Sequence, residues 1–303
     1  MRFSKWGCWC QMRETSATVS VVIPVFNEEE RILETLKSIA EGTTKPLEII
    51  VVDGRSTDKT VELIGEHYPD VIVLDNPERT AAVGRNVGVY AAHGDVIAFT
   101  DGDCVVDSKW VECIGKRFES DDIDGLGGKV LNAPTDNKYE KYWGDLAWNK
   151  IMSFPDQPYQ VKEQRLNDAF VTANCAYRRR SIIEIGGFSA FFANNAEDVD
   201  LCWRMLERGK RLFYVPEAVV FAHNVTTLGG IAKKSFRNGV SSSKLQKRYG
   251  GWLNVDPVIY KMLFSNIVGL VRRQEDAGLN CLELVFHLAG KYCGSIRNGV
   301  INV

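Results

Sequence analysis

The stretch VSVVIPVF (19–26), read with NEEERILETLKSIA (27–40) and LEIIVVD (47–53), decides the fold. The first segment is β-branched and apolar on both faces, the pattern of a strand buried inside a parallel sheet. In the second, Ile32, Leu33, Leu36 and Ile39 fall at helical spacing. The third repeats the buried-strand pattern. The unit then recurs: STDKTVELIGEHY (56–68) predicts a helix capped by Ser56 or Thr57, and VIVLD (71–75) a strand. RTAAVGRNVGVYAAH (79–93) predicts an Ala-rich helix, and DVIAFT (95–100) a fourth strand. Such alternation implies right-handed crossovers and a mainly parallel sheet flanked by helices, an α/β fold. Ligands of these sheets bind beyond the carboxyl ends of the strands, where Asn27, Asp53 and Asp101 all fall.

The fourth strand runs directly into FTDGDC (99–104). Residues i and i+2 of an extended segment point to one side, so Asp101 and Asp103 sit in each other's field. Two like charges ~5 Å apart at an effective dielectric of ~20 repel by about 3 kcal/mol. A cation occupies the spot, or one carboxylate is protonated, or the tripeptide is a solvated turn of common turn residues.

Past residue 105 the regularity weakens. GLGGKVLN (125–132) predicts a strand and NKYEKYWGDLAWNKIM (137–152) an aromatic amphipathic helix. AEDVDLCWRMLERG (196–209) reads as a helix ending at Gly209, and KRLFYVPEAVVFAH (210–223) as a pair of strands around Pro216. Residues 226–303 read as two or three helices without strand signal, Pro257 opening one of them.

The 303 residues carry a formal net charge of −2, which excludes a nucleic-acid binder held by bulk charge. The charge is uneven: residues 226–303 hold 11 Lys+Arg against 4 Asp+Glu, the remainder 26 against 35. A basic segment of this kind meets phosphates or an anionic membrane face, or forms a solvated helix surface. The eight cysteines include Cys8 and Cys10 but no C-x-x-C pair, which predicts a reducing, cytosolic setting rather than a metal framework. No apolar run reaches the ~18 residues of a spanning helix. Residues 1–17, in which Trp6 and Trp9 are the sole hints of docking, read as a tail without a signal-peptide core.

The ordered landmarks SVVIPVFNEEERILETLKSI, EIIVVDGRSTDKT, GRNVGVYAAHGDVIAFTDGD, GGF and AEDVDLCWRMLERGKRLFYVPEAVVFAH resemble those of family 2 glycosyltransferases across residues 19–223. The resemblance implies a GT-A catalytic domain over 18–225, followed by a basic, helical C-terminal extension over 226–303. It implies a nucleotide-sugar donor and transfer with inversion, to a glycan, a lipid-linked acceptor or another hydroxyl or phosphate. Asp101 and Asp103 then become hard oxygen ligands for Mn²⁺ or Mg²⁺, with Gly102 keeping the turn open. His223 matches a position where a histidine often completes the metal shell; the competing reading is a satisfied surface histidine. Asp198 corresponds to the general base on the acceptor hydroxyl, Glu197 to a residue orienting the acceptor, and Asp200 to a helix-start acid. The nucleotide side is expected at Pro24, Phe26, Asn27, Glu28 and Asp53, with Gly54 standing where the family commonly has a second acid. Arg85 reaches the diphosphate, braces the loop, or makes a surface ion pair. Arg237 is a phosphate candidate or part of a solvated basic face.

Two other functions use related sheets. A nucleotidylyltransferase needs a Gly-rich, basic loop after the first strand, and PVFNEEE (24–30) is neither. A non-catalytic binding protein is expected to lack one of Asp101, Asp103 and Asp198, and all three are present. The six basic residues between Lys233 and Arg248 leave two readings for the extension: helices that cap the catalytic domain, or helices that hold it peripherally on an anionic membrane.

Overall fold

Val19–Val25 (β1) has neighbours on both sides, and its side chains alternate between two buried faces. The computed structural model describes residues 17–302 apart from 121, 153, 194, 251, 252, 255, 256, 273 and 275. All but the last residue of the expected N-terminal tail, including Trp6, Trp9, Cys8 and Cys10, lies outside the described residues. Val21, Ile23 and Val25 face a layer formed with Ile32–Ala40 (α1) and Thr60–His67 (α2). Val22 faces the opposite layer and Ala81–Ala91 (α3). The α3 helix comes so close that a Cβ at Gly88 would stand 2.3 Å from Val22 Cγ1.

The first half obeys the alternation. Glu48–Asp53 (β2), Ile72–Asp75 (β3) and Val96–Phe99 (β4) join β1 in parallel, in the order β3-β2-β1-β4. One detail departs from expectation: Ser56 and Thr57 do not cap α2, which begins after Lys59 without a side-chain cap. Ser56 Oγ instead donates to Asp53 Oδ1 at 2.6 Å.

The second half departs more. Cys104–Val106 (β5) leads to Trp110–Ser120 (α4), whose Trp110, Ile114 and Phe118 complete the α1 layer. Gly125–Asn132 (β6), Lys138–Gly144 (α5), a π-helix over Asp145–Met152 and Tyr159–Val161 (β7) follow. Then come Cys175–Arg178 (β8), Arg179–Ile185 (α6), Glu197–Glu207 (α7) and Leu212–Ala222 (β9). The sheet continues β4-β8-β6-β9-β5, with β7 also on β9. Strand β8 is antiparallel to β4 and β6, and β5 and β7 are antiparallel to β9; the other six strands share one direction. The expected strand pair around Pro216 is one bulged strand. Gly128 pairs with Val215 and Lys129 with Val219, so residues 216–218 leave the ladder where proline has no N–H to offer.

Leu228–Leu245 (α8), Pro257–Val271 (α9) and Ala277–Asn298 (α10) form the C-terminal helices, α9 starting at Pro257 as expected. Against expectation the segment also holds a short parallel pair, Leu253–Asn254 (β10) with Ile301–Asn302 (β11). Helix α8 packs Ile231 against Tyr142 and Trp143 of α5. Among the described residues no helix is long and apolar enough to cross a membrane, and Cys104, Cys113, Cys175, Cys202, Cys281 and Cys293 are unpaired.

Candidate active site

The turn after β4 is held from outside itself. Thr35 Oγ1 on α1 donates to Gly102 O at 2.9 Å, and Cys104 N reaches back to Asp101 O at 3.3 Å. A Cβ at Gly102 would stand 3.0 Å from Val25 Cγ1 and 3.2 Å from Glu28 Cγ. Any larger residue here would have to push Val25 or Glu28 aside by a few tenths of an ångström, so the turn packs closely on the end of β1, separately from the expected ligand approach.

Arg85, on α3 and 4% exposed, joins the two halves of the site. Its Nη2 donates to Asp101 Oδ1 at 2.8 Å and its Nη1 to Glu197 Oε1 at 2.6 Å. Burial opposes the Arg85 charge, but the fields of Asp101 and Glu197 outweigh it and raise the guanidinium pKa. The reading of Arg85 as a surface ion pair is thereby corrected. Glu197, also 4% exposed, leaves Oε2 buried and without a partner. Burial raises the carboxyl pKa of both Glu197 and Asp198, against the pull of Arg85. Asp198 accepts from Val199 N at 2.8 Å. Asp200 lies in the first turn of α7, as expected of a helix-start acid, but it is fully buried and binds Arg204 Nε at 2.7 Å, Tyr249 Oη at 2.8 Å and Arg248 Nε at 3.0 Å.

Two cavities meet at this arginine. The smaller, ≈ 380 Å³, is lined by Pro24, Phe26, Glu28, Arg85, Asp101, Asp103 and Arg237. Phe26 is half exposed on its rim. Asn27 and Asp53 stand behind this cavity as loop braces. Asn27, at φ 57°, accepts from Thr57 N at 2.8 Å, and both Asp53 oxygens accept from Ser56 N at 3.1 Å. The larger cavity, ≈ 590 Å³, shares Ala81, Arg85 and Asp101 with the first and adds Glu197, Asp198, Lys234 and a wall containing Trp143 and Trp148. The structure thus brings Glu197 and Asp198 into one continuous cleft with the seven expected residues of the smaller cavity, while Asn27 and Asp53 support its loop.

The sequence profile described as "Glycosyl transferase family 2" matches residues 20–186. The chain belongs to this family. It is a glycosyltransferase on a GT-A fold. Glycosyltransferase AglE of Haloferax volcanii is 27% identical over 234 residues, covering 75% of this chain and 74% of that protein. Pre-mycofactocin glycosyltransferase of Mycobacterium tuberculosis is 29% identical over 236 residues, 76% of this chain but about half (48%) of that protein's length. Mannosyltransferase PcManGT from Pyrobaculum calidifontis, solved with GDP-Man and Mn²⁺, superposes with a TM-score of 0.58 at 19% identity over 94% of this chain and 74% of that one.

The family implies a divalent metal, and the donor set suits a hard cation. Burial, then the Asp101 charge, raises the Asp103 carboxyl to about 6. Burial, then Asp103, Asp101 and Asp58, raises Glu28 to about 8. Such crowding of carboxylates is relieved by positive charge. Among the described residues no three His, Cys, Asp or Glu side chains gather into a metal cage. Two carboxylates completed by substrate phosphates is a common arrangement for Mg²⁺-type ions.

His223 stands opposite Asp103 across the β5/β9 pair, its N–H donating to Asp103 O at 3.1 Å. Its ring is held elsewhere: Nδ1 lies 3.0 Å from Glu140 Oε1, and Nε2 lies 3.5 Å from both Arg31 Nη1 and Glu34 Oε2. These contacts satisfy the ring, as the competing reading of His223 expected, but the side chain is largely enclosed rather than on the surface.

Glu140 and Lys234 are not legible in the sequence as site residues. Glu140 follows Asn137 by three positions, which reads as a capping box. Asn137 does cap α5, but the Glu140 carboxylate turns to His223, to Asn224 N at 3.0 Å and to Thr135 Oγ1 at 2.6 Å. Lys234 reads as one member of a basic surface. It points inward, with Nζ 5.2 Å from the Trp143 ring centroid and in the field of Asp103; burial lowers its pKa. Arg237 lines the smaller cavity, Lys244 donates to Phe191 O at 3.0 Å, and Arg248 pairs with Asp200. Lys234, Lys244 and Arg248 are therefore engaged within the protein, while Arg237 is exposed on the cavity wall.

Proposed function

We propose that this glycosyltransferase moves a hexose from a nucleotide-sugar to an acceptor hydroxyl with inversion, assisted by Mn²⁺ or Mg²⁺. The observation that carries the reading is the pair of cavities joined at Arg85 and Asp101, one with carboxylates and an exposed aromatic ring, the other with Asp198. The smaller takes the nucleotide diphosphate, with Phe26 offering a face to the base, Pro24 and Glu28 shaping the floor, and Arg237 facing the phosphates. Asn27 and Asp53 fix the loop that closes it, and Asp53 retains lone pairs for a ribose hydroxyl.

Asp101 and Asp103 would hold the cation, which would neutralise charge developing on the departing diphosphate. His223, expected as a third ligand, would join them only by turning Nε2 away from Arg31 and Glu34. Asp198 takes the proton of the acceptor hydroxyl as its oxygen bonds to the anomeric carbon and the bond to the diphosphate breaks. In this proposal the hydroxyl attacks from the larger cavity as the diphosphate leaves into the smaller, the opposite-sided arrangement that inversion requires. Glu197 serves through Arg85 in this proposal, since one oxygen is ion-paired and the other enclosed. That differs from the sequence expectation of direct acceptor contact.

Residues 18–225 supply most of the cleft and 226–303 close it, α8 contributing Lys234 and Arg237. The exposed apolar residues of α9, among them Met262, Phe264 and Ile267, support a second element of the reading, peripheral contact with an anionic membrane. Salt-sensitive co-sedimentation with anionic vesicles tests it, and absence of binding at low salt removes it.

The central test is a thermal-shift panel of UDP-, GDP- and other sugar nucleotides with and without Mn²⁺. A ligand of the native state at 100 times its Kd stabilises by about 2.7 kcal/mol. The expected result is one nucleotide class whose shift needs the metal and disappears in Asp103→Asn. A metal-independent shift, or one retained by Asp103→Asn, removes the metal from the proposal.

A further inference from the structure

We propose that the acceptor is an amphiphile, its hydroxyl-bearing head placed beside Asp198 and an apolar tail or aglycone running outward along Trp148, Ile151, Met152 and Leu166. The inference rests on reading the larger cavity as the acceptor side. The cavity, ≈ 590 Å³, falls in the size range of sites that enclose ligands larger than a single small ring. Its acids and Arg85 are grouped at one end: Arg85, Asp101, Glu197 and Asp198 meet at the junction with the smaller cavity, while Lys234 and Lys291 line it from α8 and α10.

The outer wall has a different chemistry. Where α5 ends at Gly144 the chain continues as a π-helix, Asp145–Met152, whose Trp148, Ile151 and Met152 face the cavity. π-Helical turns concentrate at functional sites because they re-aim side chains out of α-helical register. Leu166 reaches the same wall from a separate 3₁₀ turn, Leu166–Asp168. Ile151 is 54% exposed and Leu166 61% exposed. Scattered exposed apolar residues need no explanation. Here residues from two segments converge on one cavity whose other end carries Arg85 and the acids. A wholly hydroxylated acceptor would leave that wall without an apolar partner. An alkyl or aromatic portion would remove it from water, at roughly fourfold in affinity per buried methylene.

The experiment uses the full chain and matched methyl and octyl glycosides of common hexoses, the octyl compounds kept below their micellar concentrations. Binding is read by intrinsic tryptophan fluorescence, and transfer by release of nucleotide diphosphate. At least one octyl glycoside is expected to bind tenfold or more tightly than its methyl partner. Ile151→Asn/Leu166→Asn is expected to abolish that advantage while leaving donor-induced thermal stabilisation intact. Equal affinity within every pair overturns the proposal, as does an octyl advantage unchanged in the double variant. Asp198→Asn separates this failure from that of the underlying reading. If the variant transfers to both glycosides as well as the wild type does, the larger cavity is not the acceptor side, and the proposal falls with it.

Discussion

Pro24, Phe26 and Glu28 reach the smaller cavity from the end of one strand, and Asp101 and Asp103 from the end of the next strand in the sheet. The larger cavity has no such economy of origin. Trp143 and Trp148 come from α5 and its π-helical continuation, Leu166 from a 3₁₀ turn, Asp198 from α7 and Lys234 from α8. A parallel sheet delivers strand ends to one rim as a consequence of its topology, so these five residues of the smaller cavity follow from the fold, while its Arg85 and Arg237 come from α3 and α8. The larger cavity depends on how separate helices pack, and that is where specificity toward an acceptor can vary without disturbing the sheet.

The sharpest way to break this comparison is Asp198→Asn. If the two cavities divide the work, transfer falls ~10²–10⁴-fold while donor-induced thermal stabilisation stays within about twofold in midpoint affinity. Donor binding and turnover falling together would show that the cavities are not functionally separate. Arg85→Met tests the joint. It strands Glu197 without its cation in a buried site, and breaking a buried pair costs ~3–5 kcal/mol. Asp101 is partly solvated, which screens its share, so a loss of about 3 kcal/mol is expected in urea unfolding. A loss under about 1 kcal/mol would mean that Arg85 does not hold the halves together.

A third test reaches the C-terminal helices. Burial raises the Glu283 carboxyl on α10 to about 7. The folded state thus favours the protonated form, so the stabilisation is full below the unfolded value of ~4.5 and is lost as pH rises through about 7. Glu283→Gln removes that loss: its stability relative to wild type should rise by about 2 kcal/mol between pH 4.5 and pH 8. A pH-independent difference would place Glu283 in contact with solvent. The smallest effect is expected from Glu140→Gln, which weakens the orientation of the His223 ring from behind. Loss of such a supporting carboxylate typically costs about tenfold in metal affinity. A Mn²⁺ titration in the presence of nucleotide diphosphate reads it, and an unchanged Kd would reduce Glu140 to a brace for Asn224.

The two apolar faces of β1, the spacing of Ile32, Leu36 and Ile39, and the succession of the first four strands are all legible in the chain itself. So is the placement of Asp101 and Asp103 just past β4. These are local patterns, repeated every two or 3.6 residues, and parallel βαβ units place consecutive strands beside one another. Legibility ends where antiparallel β8 enters between β4 and β6, and where Pro216 sits in a bulge rather than a turn.

Sequence by itself determined the fold family, the carboxylate pair and the acid cluster at Glu197–Asp200, because each is encoded by neighbours along the chain. Tertiary structure alone decided that Arg85 bridges Asp101 and Glu197, that Glu140 holds His223, and that Lys234 faces inward rather than toward solvent. Glu140 and His223 are separated by 83 residues, and Arg85 and Glu197 by 112. A buried charge takes whichever partner the packed elements bring within reach, since leaving it unpaired in a low-dielectric interior is costly. That choice is made by the packing of distant segments, and no local period in the chain records it.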